Sequence, residues 1–194
     1  LPLRTSLQSS ENDEAAANAS QVFMSFNPGV TNLGNRFADA IHLAWYRRSL
    51  SVEAEWQAGR FDFAREHEPG RVSVPVIGSH IGFGYFITGE EVESRSTVVP
   101  LRDFSMKRGS WSPGAIEVFA RYSRIELGRN VFTEGLADAS HWTRIVNMTD
   151  VGFNWYPNRF IKLYVDWQLP IYDTPVVTDP VTGQTSTTTL QPDG

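Results

Sequence analysis

Glu53 and Glu55 stand two positions apart, and in an extended chain that spacing puts both carboxylates on one side, about 7 Å apart. Two carboxyl groups at such a separation can serve a glycosidase as acid and base. A water-facing wall explains them better and asks for no substrate cleft, so no catalytic residue is assigned. Glu117 and Arg121 are four apart, about 13 Å along a strand, too far to pair with each other. Each meets a cross-strand partner or water, where it can tune a pore. His42, His67, His80 and His141 lack the spacing of metal ligands, so neither metal nor cofactor is expected. Gly82-Phe83-Gly84 is not followed by a helix signal and is no phosphate cradle; glycines there leave room for a folded-in loop or a bend. No serine sits on a strand-to-helix elbow, so no Ser–His–Asp grouping arises. Asn18-Ala19-Ser20 and Asn147-Met148-Thr149 match a glycosylation pattern that is common by chance. An enzyme is not expected.

The elements that position these residues are short and punctuated. The chain has 194 residues, with 17 basic and 22 acidic side chains for a net charge of −5, a size suited to one domain over 1–194. The acidic balance and the lack of a basic patch exclude nucleic acid as a partner. Cysteine is absent, which removes disulfides and thiol chemistry. No run of even ten apolar residues occurs, so a membrane-spanning helix is excluded, whereas alternating membrane strands are not. Residues 1–20 are polar and residues 170–194 are rich in Pro and Thr, and both read as loop-like. The chain opens without a basic-then-apolar leader, as after cleavage or inside a longer protein.

Successive side chains of a strand point to opposite sides, so each candidate strand can be written as two faces. Leu50, Val52, Ala54, Trp56 and Ala58 lie opposite Ser51, Glu53, Glu55 and Gln57. A helix would set Glu53 and Glu55 about 200° apart and spoil any apolar stripe. The same separation holds for Ile77, Ile81, Phe83, Tyr85 and Ile87, for Ile116 to Tyr122, for Val151 to Trp155, for Ile161 to Trp167 and for Ile41 to Trp45. Six strands follow, with Gln21 to Phe26 a candidate seventh. Tyr46 to Ser49 and Tyr156 to Arg159 read as tight turns. The stretches Arg60 to Arg71, Gly89 to Pro113 and Gly128 to His141 read as long connections. Short turns alternating with long loops suit a transmembrane barrel whose two rims differ.

Alternation alone leaves open whether the apolar face meets a protein core or lipid, and a soluble sandwich that stacks sugar on Trp56 or Trp167 has the same pattern. Three observations favour lipid. Nine-residue strands such as Leu50 to Ala58, at a tilt of about 40°, span close to the ~25 Å apolar band of an outer-membrane barrel. Trp45, Tyr46, Trp155 and Tyr156 sit beside both tight turns, as an interfacial girdle would. The polar faces carry both charge signs, as a water-filled lumen tolerates. The expected pore-lining residues are Glu53, Glu55, Gln57, His80, Glu117, Arg121, Lys162 and Asp166. Val52, Trp56, Ile81, Phe83, Val118, Leu163 and Val165 are expected to face lipid. Six or seven strands cannot enclose water, and bacterial barrels use eight or more, so the chain reads as part of a barrel. With the tight turns on the periplasmic rim, the strand ending at Gln168 runs outward and residues 170–194 form an outer loop.

Three blocks then occur in order: Gly84-Tyr85-Phe86-Ile87-Thr88-Gly89-Glu90, Gly114-Ala115-Ile116-Glu117-Val118-Phe119-Ala120-Arg121-Tyr122-Ser123, and Val151-Gly152-Phe153-Asn154-Trp155-Tyr156-Pro157-Asn158. Together they resemble the C-terminal half of the phosphate-selective porin O and P family over Phe37 to Gln168. Ile116 stands where that family usually has Trp, Phe119 where it usually has a small residue, and its final aromatic-ended strand has no counterpart here. The resemblance implies an all-β, antiparallel transmembrane barrel of sixteen strands. It further implies a homotrimer in the bacterial outer membrane, with membrane lipid and small anions or other hydrophilic solutes as partners and basic residues along an anion path. Only Arg121 and Lys162 are basic on the polar faces, beside Glu53, Glu55, Glu117 and Asp166, so anion selectivity stays open. The expected function is passive diffusion through a channel. A non-conducting barrel that anchors surface partners is the rival reading.

Overall fold

The computed structural model describes residues 2–4, 22–94 and 97–173. The loop-like readings of 5–20 and 174–194 lie outside them. The elements are β1 (Pro2–Arg4), β2 (Val22–Ser25), β3 (Val30–Arg47), β4 (Leu50–Arg65), β5 (Val72–Phe86), β6 (Ala115–Leu127), α1 (Asn130–Thr133), β7 (Ile145–Asn158) and β8 (Ile161–Tyr172). β3 to β8 form one sheet in sequence order, every neighbouring pair antiparallel. The fold is all-β, and the sheet is not closed among the described residues. Val22–Ser25 is no seventh strand of it: β2 pairs with β1 in a separate ribbon.

The strands are longer than alternation suggested. β4 runs on to Arg65 and β5 starts at Val72, so the connection is residues 66–71 and not the longer Arg60 to Arg71 that the sequence suggests. Beyond Ala58 the two faces exchange chemistry, and an alternation judged by polarity stops there although the strand does not. Phe61 and Phe63 share a side with Glu53 and Glu55, while Arg60 and Asp62 share a side with Trp56. β8 likewise continues through Tyr172, into the stretch read as loop-like.

Strand directions alternate, so the connections 48–49, 87–114 and 159–160 share one rim, and 66–71 and 128–144 share the other. The longest connection therefore lies beside the two tight turns, and the rims are not sorted by loop length as expected. In the first tight turn Arg48 adopts φ 53°, the left-handed conformation that a two-residue hairpin demands of a central residue. Residues 87–114 are pinned to their rim by Val92 N–H to the Arg48 carbonyl (2.7 Å), Phe104 N–H to the Pro157 carbonyl (2.7 Å) and a Ser105–Ser112 bridge. The Phe104 ring meets the Trp155 ring edge-on at 5.4 Å.

The core lies at the opposite rim, on the face that carries Glu53 and Glu55. Phe23, Met24 and Phe26 from β2 and its flank pack with Val131, Leu136 and Ala137 of the 128–144 connection. They cover Phe63, Val74, Leu127, Val146 and Tyr172 of the sheet. Asn27 N–H to the Leu136 carbonyl (2.8 Å) and Thr143 N–H to the Phe23 carbonyl (3.2 Å) tie these segments together.

Within the sheet, large and small residues alternate across strands. Phe119 is opposite Gly152, and a Cβ at Gly152 would stand 2.8 Å from Phe119 Cζ and meet the Val165 backbone carbonyl as well. Gly152→Ala is therefore expected to destabilise the full-length protein by about 1–3 kcal/mol through overpacking. Because one obstacle is backbone, trimming Phe119 to Ala should restore only part of the loss. Urea unfolding in lipid vesicles reads this, and an unchanged midpoint for Gly152→Ala would refute the packing argument.

Candidate functional site

Register arranges the polar face in rows that cross the strands. Ala44, Glu53, Gly82, Arg121, Asp150 and Gln168 form one; His42, Glu55, His80, Ser123, Met148 and Pro170 form the next. Nearer the tight turns, Glu117 pairs with Asn154 and Gly152 with Asp166. All eight residues expected to line a pore thus share this face, Gln57 lying one row beyond Glu55. Most of the opposite face is apolar. Trp56, Ile81, Phe83, Val118, Leu163 and Val165 lie there with 40 to 57% of their surface exposed, and Val52 is half-buried. Among the described residues no second sheet clamps these rows, as a sandwich would require.

Consecutive strand residues cannot point the same way, and this divides the four aromatics beside the tight turns. Trp45 and Trp155 lie on the apolar face, and the Trp155 indole N–H donates to the Pro113 carbonyl at 2.6 Å. Tyr46 and Tyr156 lie on the polar face, so they cannot belong to a girdle on the other. The Tyr46 hydroxyl donates to Glu53 (3.0 Å) and the Tyr156 hydroxyl to Glu117 (3.3 Å).

Glu117 also accepts a hydrogen bond from Asn154 at 2.8 Å. The absent side chain at Gly84 opens its place, since a Cβ there would lie 2.6 Å from both Glu117 Oε1 and Ser51 Oγ. Gly84 and Gly152 on this face so make room for the side chains of Glu117 and Phe119. Arg121 Nε donates to Asp150 at 2.7 Å; Asp150 is 0% exposed, and its other oxygen has no partner. Asp150 sat on a polar strand face in the sequence, but its role as the partner that spends the charge of Arg121 needed the register. Lys162 holds its ammonium 5.6 Å from the Tyr156 ring and 5.9 Å from the Tyr164 ring, at cation–π range. Glu55 lies between His42 and His80 in register, a neighbourhood invisible in sequence spacing. Among the described residues no group of three His, Asp or Glu side chains is placed to hold a metal.

Glu53, Glu117, Arg121, Lys162 and Asp166 border a hollow of ≈ 350 Å³ on this face. Towards the tight-turn rim, Val92, Ser94, Thr97 and Val98 of the long connection help line the space beside Glu53, Glu117 and Lys162. At the other rim the core of Phe23, Met24 and Leu136 covers the same face. A charged wall is left between two covers.

A sheet with carboxylates and basic groups on one side and exposed apolar rows on the other is the wall of a membrane β-barrel. The family model described as phosphate-selective porin O and P matches residues 3–169, and the chain belongs to that family. It is a family of channels rather than of enzymes. Among curated proteins none matches the chain.

Two consequences can be measured. Asp150 is sealed in with Arg121 as its counter-charge, so Arg121→Met should cost about 3–5 kcal/mol by leaving a buried carboxylate unpaired. Arg121→Met with Asp150→Leu should recover most of that in urea unfolding; no recovery would mean that the pair is not coupled. In the 128–144 connection, Asp138 accepts the Ser140 N–H (2.8 Å) and hydroxyl (2.7 Å), and its other oxygen lies 2.7 Å from His141 Nδ1. The Ser140 hydroxyl first, then its N–H, then His141 hold this carboxyl down at about 2. A carboxyl depressed in the folded chain stabilises it above the unfolded pKa near 3.9 and stops doing so as pH falls through the folded value. Amide protection over residues 138–141 should hold at pH 4 and collapse by pH 2, and Asp138→Asn should lower it at neutral pH.

Proposed function

We propose that the chain supplies consecutive strands of an outer-membrane porin through which small hydrophilic solutes diffuse passively. The observation that carries this is the exposure of the apolar rows on one face while the charges gather on the other. Buried in water-free hydrocarbon, those rows gain the full apolar transfer energy, and the carboxylates keep their hydration only if the other face encloses water. Among the described residues the outer edges of β3 and β8 have no neighbouring strand, and hydrocarbon does not permit unpaired backbone groups. Further strands close the barrel on both sides, and on the family's pattern three copies assemble. Glu53, Glu55, Gln57, His80, Glu117, Arg121, Lys162 and Asp166 line the lumen, with Asp150, Asn154 and Tyr156 beside them. Trp45 and Trp155 mark the interface at the tight-turn rim.

Selectivity follows from the wall's charge. Among the described residues, Glu53, Glu55, Glu117, Asp150 and Asp166 share this face with Arg121 and Lys162, Arg159 borders the hollow at the tight-turn rim, and Arg121 is neutralised by Asp150. This part of the wall favours cations, so selectivity for phosphate needs a basic path on other strands of the barrel. In planar bilayers the full-length protein is expected to conduct, and Glu53→Gln with Glu117→Gln should move the reversal potential under a KCl gradient towards anions. No conductance from folded protein would overturn the channel; an unmoved reversal potential would remove these two residues from its lining.

A further inference from the structure

The apolar face does not stay apolar along its length. On β6 it reads Ile116, Val118, Ala120, Tyr122 and then Arg124 and Glu126; on β4 it reads Trp56, Ala58 and then Arg60 and Asp62. The change falls at Tyr122, whose ring lies among the apolar rows and whose hydroxyl donates to Asn147 at 2.9 Å. An aromatic ring with one wet end marks the edge of hydrocarbon, so the charges just beyond it lie at the level of lipid headgroups.

Those charges are built into a clamp. Glu126 accepts from Arg124 Nη2 at 2.9 Å on one oxygen and from Arg144 Nη1 at 2.7 Å on the other, and Arg124 Nη1 donates to Asn147 at 3.1 Å. One carboxylate thus holds two guanidiniums against their mutual repulsion. Each guanidinium carries five N–H donors, and these bonds, with that of Arg144 to the Leu127 carbonyl, leave donors over. Two strands away Arg60 is exposed, beside the Arg71–Asp62 pair. With Asp173 at the end of β8, whose charge also reaches Arg124, this gives four guanidiniums against three carboxylates, on a chain whose net charge is −5.

We propose that this patch binds the phosphorylated headgroup of a membrane lipid. The inference rests on the barrel reading above, which turns this face to lipid. Guanidinium donors match phosphate oxygens in pairs, and the apolar rows immediately below receive the acyl chains. The two ends of one lipid are therefore met by two adjoining parts of one face.

The test uses the full-length protein folded in neutral detergent, with diphosphoryl lipid A, its dephosphorylated form and inorganic phosphate as probes. Native mass spectrometry is expected to show diphosphoryl lipid A retained on each protomer and the dephosphorylated form lost. Arg124→Gln with Arg144→Gln should weaken retention by about ten- to hundredfold, and the single exposed change Arg60→Gln severalfold. Arg108→Gln, which removes a charge at the opposite rim, should leave it unchanged. Arg60→Gln and Arg124→Gln each serve alone if the double variant does not fold. Equal retention of both lipid forms, retention untouched in every patch variant, or displacement by inorganic phosphate would overturn the proposal. So would loss of self-association in the double variant with lipid retained, which would make the patch an interface between copies. Conductance of the same preparation is read separately, so a silent channel that still retains the lipid would refute the channel and not this site.

Discussion

A backbone set in hydrocarbon finds no water to bond, so its N–H and C=O groups must be satisfied by a neighbouring strand. In this chain one continuous ladder from β3 to β8 meets that requirement between neighbouring strands, interrupted only by register shifts near Asn32–Arg36 and Trp155–Asn158. With the ladder in place each side chain has two directions open to it, and the sheet becomes a two-sided partition. Every other property of the molecule is a consequence of what occupies its two sides.

The composition of the sides is not constant from rim to rim. Near the tight turns and through the middle, charge lies on one side and hydrocarbon on the other. Towards the opposite rim the arrangement inverts: Phe61, Phe63, Val72, Val74, Ile125, Leu127 and Val146 take the side of the carboxylates, and Arg60, Asp62, Arg124 and Glu126 the other. The apolar residues there are covered by β2 and the 128–144 connection, which give this otherwise thin sheet its compact core. The exposed side meanwhile carries charge there. One inversion thus supplies both an anchorage for the segments that narrow one end of the wall and a charged border on its outside.

The wall itself is shaped by neighbours of unequal size. Gly84 admits the Glu117 carboxylate and Gly152 the Phe119 ring, so the hollow between them is bounded by side chains fixed through contact rather than left to sway. Its charge is similarly prearranged. Asp150 is spent on Arg121, Lys162 lies against aromatic rings, and Glu53 and Glu117 each hold a tyrosine hydroxyl. The solvated acidic groups that remain set the electrostatics of this part of the wall.

The sheet, its strands and the membership of each face were legible from residues such as Leu50 to Ala58, because a period of two is imposed by the pleat of a single strand and needs no partner. The same local rule fixed which charges share a side. It failed where polarity reversed, at Phe61 and Ile125, because there the partner on each side changes while the backbone does not. The rule itself sets Tyr46 and Tyr156 on the opposite side from the tryptophans beside them. Which residues stand opposite one another, Asp150 beside Arg121 or Glu55 between two histidines, was decided by strand register. So was the joining of Glu126 to Arg124 and Arg144. These are relations between segments far apart in the chain, set by cross-strand hydrogen bonds whose alignment no single stretch of sequence contains.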